Sequence, residues 1–189
     1  MPRTKKRQRK PKEEHTHLAI RVEQYEAHVE ASVNHNVYAP QYAWDLDDDD
    51  ALYQFTTQLT IKGISTYPEE RADDEYELTI YGNDTRSRRL DATLKDAHAR
   101  DEHGLPRYRE YRGRQIPIYN PPSGLGLLDK VRGEPRWAAW LFVAPRFVSD
   151  ALVLLGHGKK MFLAIHESKN KRTRWVQSLT LQTADPAEE

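Results

Sequence analysis

The sequence predicts a mainly β fold: an antiparallel β-sandwich or open barrel with one or two short helices and a disordered basic N-terminal arm. Three observations carry that reading. Apolar and polar residues alternate with period two in several segments, most clearly Tyr53, Phe55, Thr57, Leu59 and Ile61 against Gln54, Thr56, Gln58 and Thr60. Clusters of turn-forming residues separate those segments at short intervals. Regular alternation of strands with helices is missing, which argues against a doubly wound α/β fold.

The arm comes first. Residues 1–12 contain Arg3, Lys5, Lys6, Arg7, Arg9, Lys10 and Lys12 and no acid, a charge of +7. The whole chain balances 29 basic against 29 acidic residues, so the remainder carries −7. Like charges repel, and the arm offers almost no apolar side chain to bury, so an ordered structure is not expected there. The predicted organisation is an arm over 1–17, one β-rich domain over 18–183 and a frayed acidic end over 184–189.

Within the domain, Leu18, Ile20 and Val22 alternate with polar neighbours, and the parity shifts near Glu23. Tyr25, Ala27, Val29, Ala31 and Val33 then alternate with Glu26, His28, Glu30, Ser32 and Asn34. This predicts one strand with a bulge at the shift. Val22, Tyr25, Val29 and Val33 also form a helical stripe, the competing reading. YAPQYAWDLDDDD reads as a loop, and Tyr76, Leu78 and Ile80 as a strand ended by Gly82-Asn83-Asp84. Residues 90–100 suggest a short helix stopped by Gly104 and Pro106. Residues 104–119 suggest a hairpin, and NPPSGLGLLDKVRGEP a connecting loop. Trp137–Ala144 is apolar in both parities, as in a strand covered on both faces. Val148, Ala151, Leu152 and Leu155 sit at helical spacing, with Ser149 or Asp150 as cap and Gly156-His157-Gly158 as terminator. KKMFLAIHE and TRWVQSLTLQT flank the turn SKNKR and form a final hairpin. Trp137, Trp140, Phe142, Phe147 and Trp175 are expected in the core.

Composition excludes several classes. There is no cysteine, hence no disulfide, thiolate metal site or cysteine nucleophile. No run approaches the roughly 18 apolar residues of a membrane helix, and no apolar region of a secretory signal follows the first methionine. A cytoplasmic protein is expected, with the nucleus open in a eukaryotic host.

The candidate site is the stretch GLPRYREYRGRQIPIY, in which arginines and tyrosines interleave. A two-residue loop at Arg112-Gly113 would put Arg107 and Arg109 on one face with Ile116 and Ile118. A three-residue loop, Arg112-Gly113-Arg114, avoids that mixture. It sends Tyr108, Ile116 and Ile118 inward and displays Arg107, Arg109, Tyr111, Gln115 and Tyr119 outward, so this register is the expectation. Guanidinium pairs with phosphate through a planar fork, and tyrosine stacks on an unpaired base. The alternative for the same arginines is pairing with the acidic body. A third basic segment, Lys159, Lys160, Lys169, Lys171, Arg172 and Arg174, surrounds the final hairpin, where lysines also guard edges against aggregation.

Other chemistry has less support. Asp96, His98, Asp101 and His103 lie close in sequence, but their spacing matches no metal motif, and a polar helix end explains them. Asp45 and Asp47–Asp50 lack the spaced ligands and glycine of a calcium loop. Ser123 lacks a nucleophile-elbow frame, and Gly124-Leu125-Gly126 lacks a dinucleotide-loop setting. No catalytic residue, metal or cofactor is assigned. The expected function is a non-enzymatic module contacting the phosphate backbones of DNA or RNA through the arm and the Arg/Tyr hairpin. The alternatives are an assembly subunit docking protein partners or copies of itself through acidic loops and the aromatics Tyr38, Tyr42 and Trp44, and a metal-dependent hydrolase or nuclease. No membrane partner is expected.

Overall fold

The computed structural model describes residues 13–33, 52–83 and 92–188. The arm residues 1–12 and the loop with Tyr38, Tyr42, Trp44 and Asp47–Asp50 lie outside them.

Seven strands close into a barrel. In chain order they are β1 (Glu14–Val33), β2 (Tyr53–Tyr67), β3 (Glu75–Asn83), β6 (Gly126–Lys130), β7 (Arg136–Val143), β8 (Phe162–Asn170) and β9 (Thr173–Gln182). Two short strands, β4 (Tyr108–Tyr111) and β5 (Arg114–Pro117), form a separate hairpin. Around the barrel the order is β1-β2-β3-β7-β6-β9-β8, closed by β8 against β1. All neighbours are antiparallel except β3 and β7, which run parallel from Glu75–Arg136 to Gly82–Val143. The sheet is therefore mixed, where a wholly antiparallel one was expected. The long excursion between β3 and β7 provides the crossover that a parallel pair requires.

Alternation explains the inside of the barrel. Leu59 and Ile61 of β2, Leu78 and Ile80 of β3, Ala139 and Leu141 of β7, and Leu163 and Ile165 of β8 are all buried in one core. The helix α1 (Pro145–Gly156) closes one end, burying Val148, Ala151 and Leu155. It begins before the expected caps, on Ala144, with Pro145 at its first position, where a preset φ and a missing N–H cost nothing. Ser149 and Asp150 therefore lie inside the helix. Gly82 lets α1 approach β3, since a side chain there would meet Pro145 Cα and Val148 Cγ2, each at 3.0 Å.

β1 follows the sequence pattern closely. It is a single strand of 20 residues, and its register against β2 shifts between Val22 and Gln24, where the parity changes. It starts at Glu14, so residues 14–17 belong to the barrel and not to the arm. Only Glu14–Arg21 pair with β8, whereas pairing with β2 runs out to Val33 with Tyr53. Beyond Arg21 the outer half of β1 thus pairs with β2 alone, as an edge of the β1-β2-β3 sheet, since Thr56–Ile64 of β2 also pair with β3.

Three other expectations are corrected. Residues 92–100 form a turn and isolated bridges instead of a helix; Asp96 ties the turn by accepting from the Thr93 amide and hydroxyl, each at 2.8 Å. Part of the supposed loop at 120–135 is β6, short and flanked by glycine, which supplies the buried Leu128. Trp137 is core, but Trp140 points outward and is 47% exposed, because a barrel strand has one inner face. In the described residues no helix is long and apolar enough to cross a membrane.

Candidate nucleic-acid interface

The β4–β5 hairpin has the tighter of the two registers. Tyr108 opposes Pro117, Arg109 opposes Ile116, Glu110 opposes Gln115 and Tyr111 opposes Arg114. The loop is Arg112-Gly113 alone, with φ of 52° and 72°. Positive φ at both central residues matches the right-handed strand twist. The three-residue loop is therefore incorrect. Charged and apolar side chains are kept off a common face only where one face is buried. Here β4 is exposed along its whole length and β5 is at most half-buried, so turn geometry sets the register.

The arginines nonetheless stay together. Arg109, Tyr111 and Arg114 share a face with Ile116, and Arg112 stands at the tip with its guanidinium 5.3 Å from the Tyr111 ring centroid. Arg107 continues the alternation of β4, its carbonyl accepting from the Ile118 amide at 3.0 Å. All four arginines are exposed. Among the described residues none of them forms an ion pair, although the chain outside residues 1–12 carries a net charge of −7. The only acid in the hairpin, Glu110, lies on the opposite face with Gln115.

The tyrosines divide. Tyr111 stays beside the arginines. Tyr119 stacks on His98 at 4.7 Å between centroids, and Tyr108 meets the same imidazole edge-on at 6.1 Å. Tyr119 therefore anchors the hairpin base to the segment at 97–101 instead of facing outward with the arginines. The same packing disperses the Asp/His quartet. His98 lies between two tyrosines with a buried Nε2 that has no hydrogen-bond partner. Asp101 accepts from the His103 and Leu105 amides at 2.9 Å, and His103 turns toward Glu102 at 3.5 Å. No group of three or more His, Asp or Glu among the described residues is arranged to hold a metal ion.

The basic residues of the final hairpin are engaged differently. Lys169 bonds Glu14 at 2.8 Å, and Lys160 lies 5.1 Å from the Phe162 ring. Arg174 reaches inward to Glu167, whose side chain is fully buried. Arg71 donates to the other carboxylate oxygen at 2.8 Å. Both guanidiniums also lie over Trp137, at 4.6 Å for Arg71 and 5.2 Å for Arg174, and the indole N–H donates to Asp74 at 2.9 Å. This cluster at the barrel end away from α1 went unread in the sequence. Its signal was the run Met161, Leu163, Ile165, Glu167, where an inward alternation ends on a charge. A second unread cluster joins His15 and His17 of β1 to His166 of β8. His15 Nδ1 lies 3.2 Å from His166 Nε2, and His17 stacks on His166 at 4.6 Å.

No family model, curated protein or solved structure matches this chain.

Proposed function

We propose that the protein is a non-enzymatic nucleic-acid-associated module that grips phosphate backbones through Arg107, Arg109, Arg112 and Arg114, with the arm as a second, sequence-independent tether. One observation carries the reading: four exposed arginines share a hairpin face and its tip, and none is neutralised by a carboxylate among the described residues. A guanidinium that pairs with no acid of its own chain is free to fork onto phosphate. Tyr111 adds a ring face for an unpaired base, in competition with Arg112, which now lies over it. The seven positive charges of residues 1–12 would contribute counterion release, hence a steep salt dependence.

The test is binding to fluorescent single- and double-stranded DNA and RNA across a salt series. Affinity should fall with salt, weaken when residues 1–12 are deleted, and weaken further in Arg109→Glu and Arg112→Glu. Each lost phosphate contact should lower the salt slope by about 1. Arg112→Asn separates charge from fold, because asparagine tolerates the left-handed turn position. Unaltered affinity in all the arginine variants would reduce the hairpin to scaffold, and no binding at low salt would overturn the proposal entirely.

A further inference from the structure

The outer half of β1 has an open edge, and the face it shares with β2 carries exposed apolar side chains. Beyond Arg21 and the Val22 amide, which bonds Met161, no described segment pairs with the outer side of β1. Val29 on that strand is 70% exposed, and Phe55, opposite Ala31 on β2, is 67% exposed. Edge strands of this length are ordinarily blunted by lysine, proline or a bulge. Residues 24–33, QYEAHVEASV, contain neither lysine nor proline, the bulge lies before them, and their carboxylates, Glu26 and Glu30, stand on the face opposite Val29.

We infer that this edge pairs with a second copy of the same chain, β1 against β1, across a two-fold axis at Val29. Antiparallel self-pairing keeps apolar side chains on one face only if residues of like parity oppose each other, so the axis must pass through a residue. An axis at His28 sets Glu26 against Glu30, and one at Glu30 sets that carboxylate against itself. An axis at Ala27 draws in the bulge at Glu23 and drives Val33 toward Arg21, where β8 already occupies the edge. With the axis at Val29, Tyr25 meets Val33, Ala27 meets Ala31 and Val29 meets itself. On the other face His28 of each copy meets Glu30 of its mate, twice by symmetry. Those two side chains lie 3.7 Å apart within one chain, so the axis assembles two imidazoles, each able to donate a hydrogen bond, and two carboxylates that accept. The product is a continuous sheet that runs β3-β2-β1-β1-β2-β3 through an isologous interface.

The absence of cysteine makes the geometry directly readable. In the full chain, Val29→Cys places two thiols opposite each other, within the separation a disulfide tolerates. Mild oxidation should yield a covalent dimer faster than Ala27→Cys or Ala31→Cys alone, and an equimolar mixture of those two should crosslink to each other. Val153→Cys, exposed on α1, reports random collision. Sedimentation should show a dimer for the unmodified chain and a monomer for Val29→Lys, with the thermal unfolding of the barrel unchanged. Crosslinking of Val29→Cys no faster than of Val153→Cys, or a monomer at every concentration tested, would overturn the inference. A monomer whose β1 amides resist hydrogen exchange would also overturn it, assigning the edge to another segment of the same chain. Faster crosslinking of Ala27→Cys would overturn the register.

Discussion

Arg71 and Glu167 are 96 positions apart and meet at 2.8 Å, fastening the 3-10 turn after β2 to the far end of β8. The carboxylate has no exposure to solvent, and Arg174 holds its second oxygen. Removing it would leave two largely buried guanidiniums without a counter-charge. Glu167→Ala should therefore destabilise the barrel by about 3–5 kcal/mol, the range for breaking a buried pair from one side. Urea unfolding should show a lower midpoint, with Glu167→Gln falling between the two because it keeps shape and an acceptor.

His166 makes stability depend on acid. Burial first, then the neighbouring imidazoles of His17 and His15, hold its pKa below the ordinary value of 6.5. Between the folded and unfolded values the unfolded chain binds more protons, so stability rises with pH there. The contribution is complete above about 6.5 and is lost as pH falls through the depressed folded value. Urea midpoints measured at descending pH should drop in this window, and less steeply in His166→Gln.

Tyr76 acts at the other end of the scale. Burial pushes its phenol from 10.0 up to about 12, although the Arg71 guanidinium beside it pulls the other way. Above pH 10 the unfolded chain releases this proton while the folded one keeps it, so stability falls as pH rises toward the folded value. The loss should be roughly 2–3 kcal/mol by linkage. Urea titrations at alkaline pH would measure it, and Tyr76→Phe should flatten that limb.

Gly82→Ala should lift α1 from the barrel. The added methyl would meet Pro145 Cα and Val148 Cγ2 at 3.0 Å, and Thr57 Oγ1 still more closely. Backbone cannot rotate away as a flexible side chain can, so a cost of about 1–3 kcal/mol is expected. A lowered melting temperature, with earlier hydrogen exchange in α1 than in the strands, would be the signature.

What could be read from the sequence was set by local periodicity. The bulge of β1 was visible because Val22 and Tyr25 break parity in the letters themselves, and the final hairpin because both its strands alternate. β6 was hidden by its length, since GLLDK between glycine-rich segments has too few residues to show a period. The hairpin register needed to be decided by turn torsions at Arg112 and Gly113, which polarity does not encode on an unburied element. Barrel closure and the Arg71–Glu167 pair join residues far apart in the chain, and no window of sequence contains both partners. The clustering of the hairpin arginines was legible because its signal was composition, which survives an error of register. Tyr119 was misassigned because its face depended on that register.

The seam between β1 and β8 has a kinetic consequence. Lys169 reaches Glu14 across 155 positions, so the barrel cannot close until nearly all of its strands are in place. Topologies dominated by such distant pairings refold on the order of milliseconds to seconds, far behind helical domains of similar size. During that interval β8 and the whole outer side of β1 offer unpaired backbone to any neighbouring chain. Dilution, more than temperature, should govern the yield of refolding.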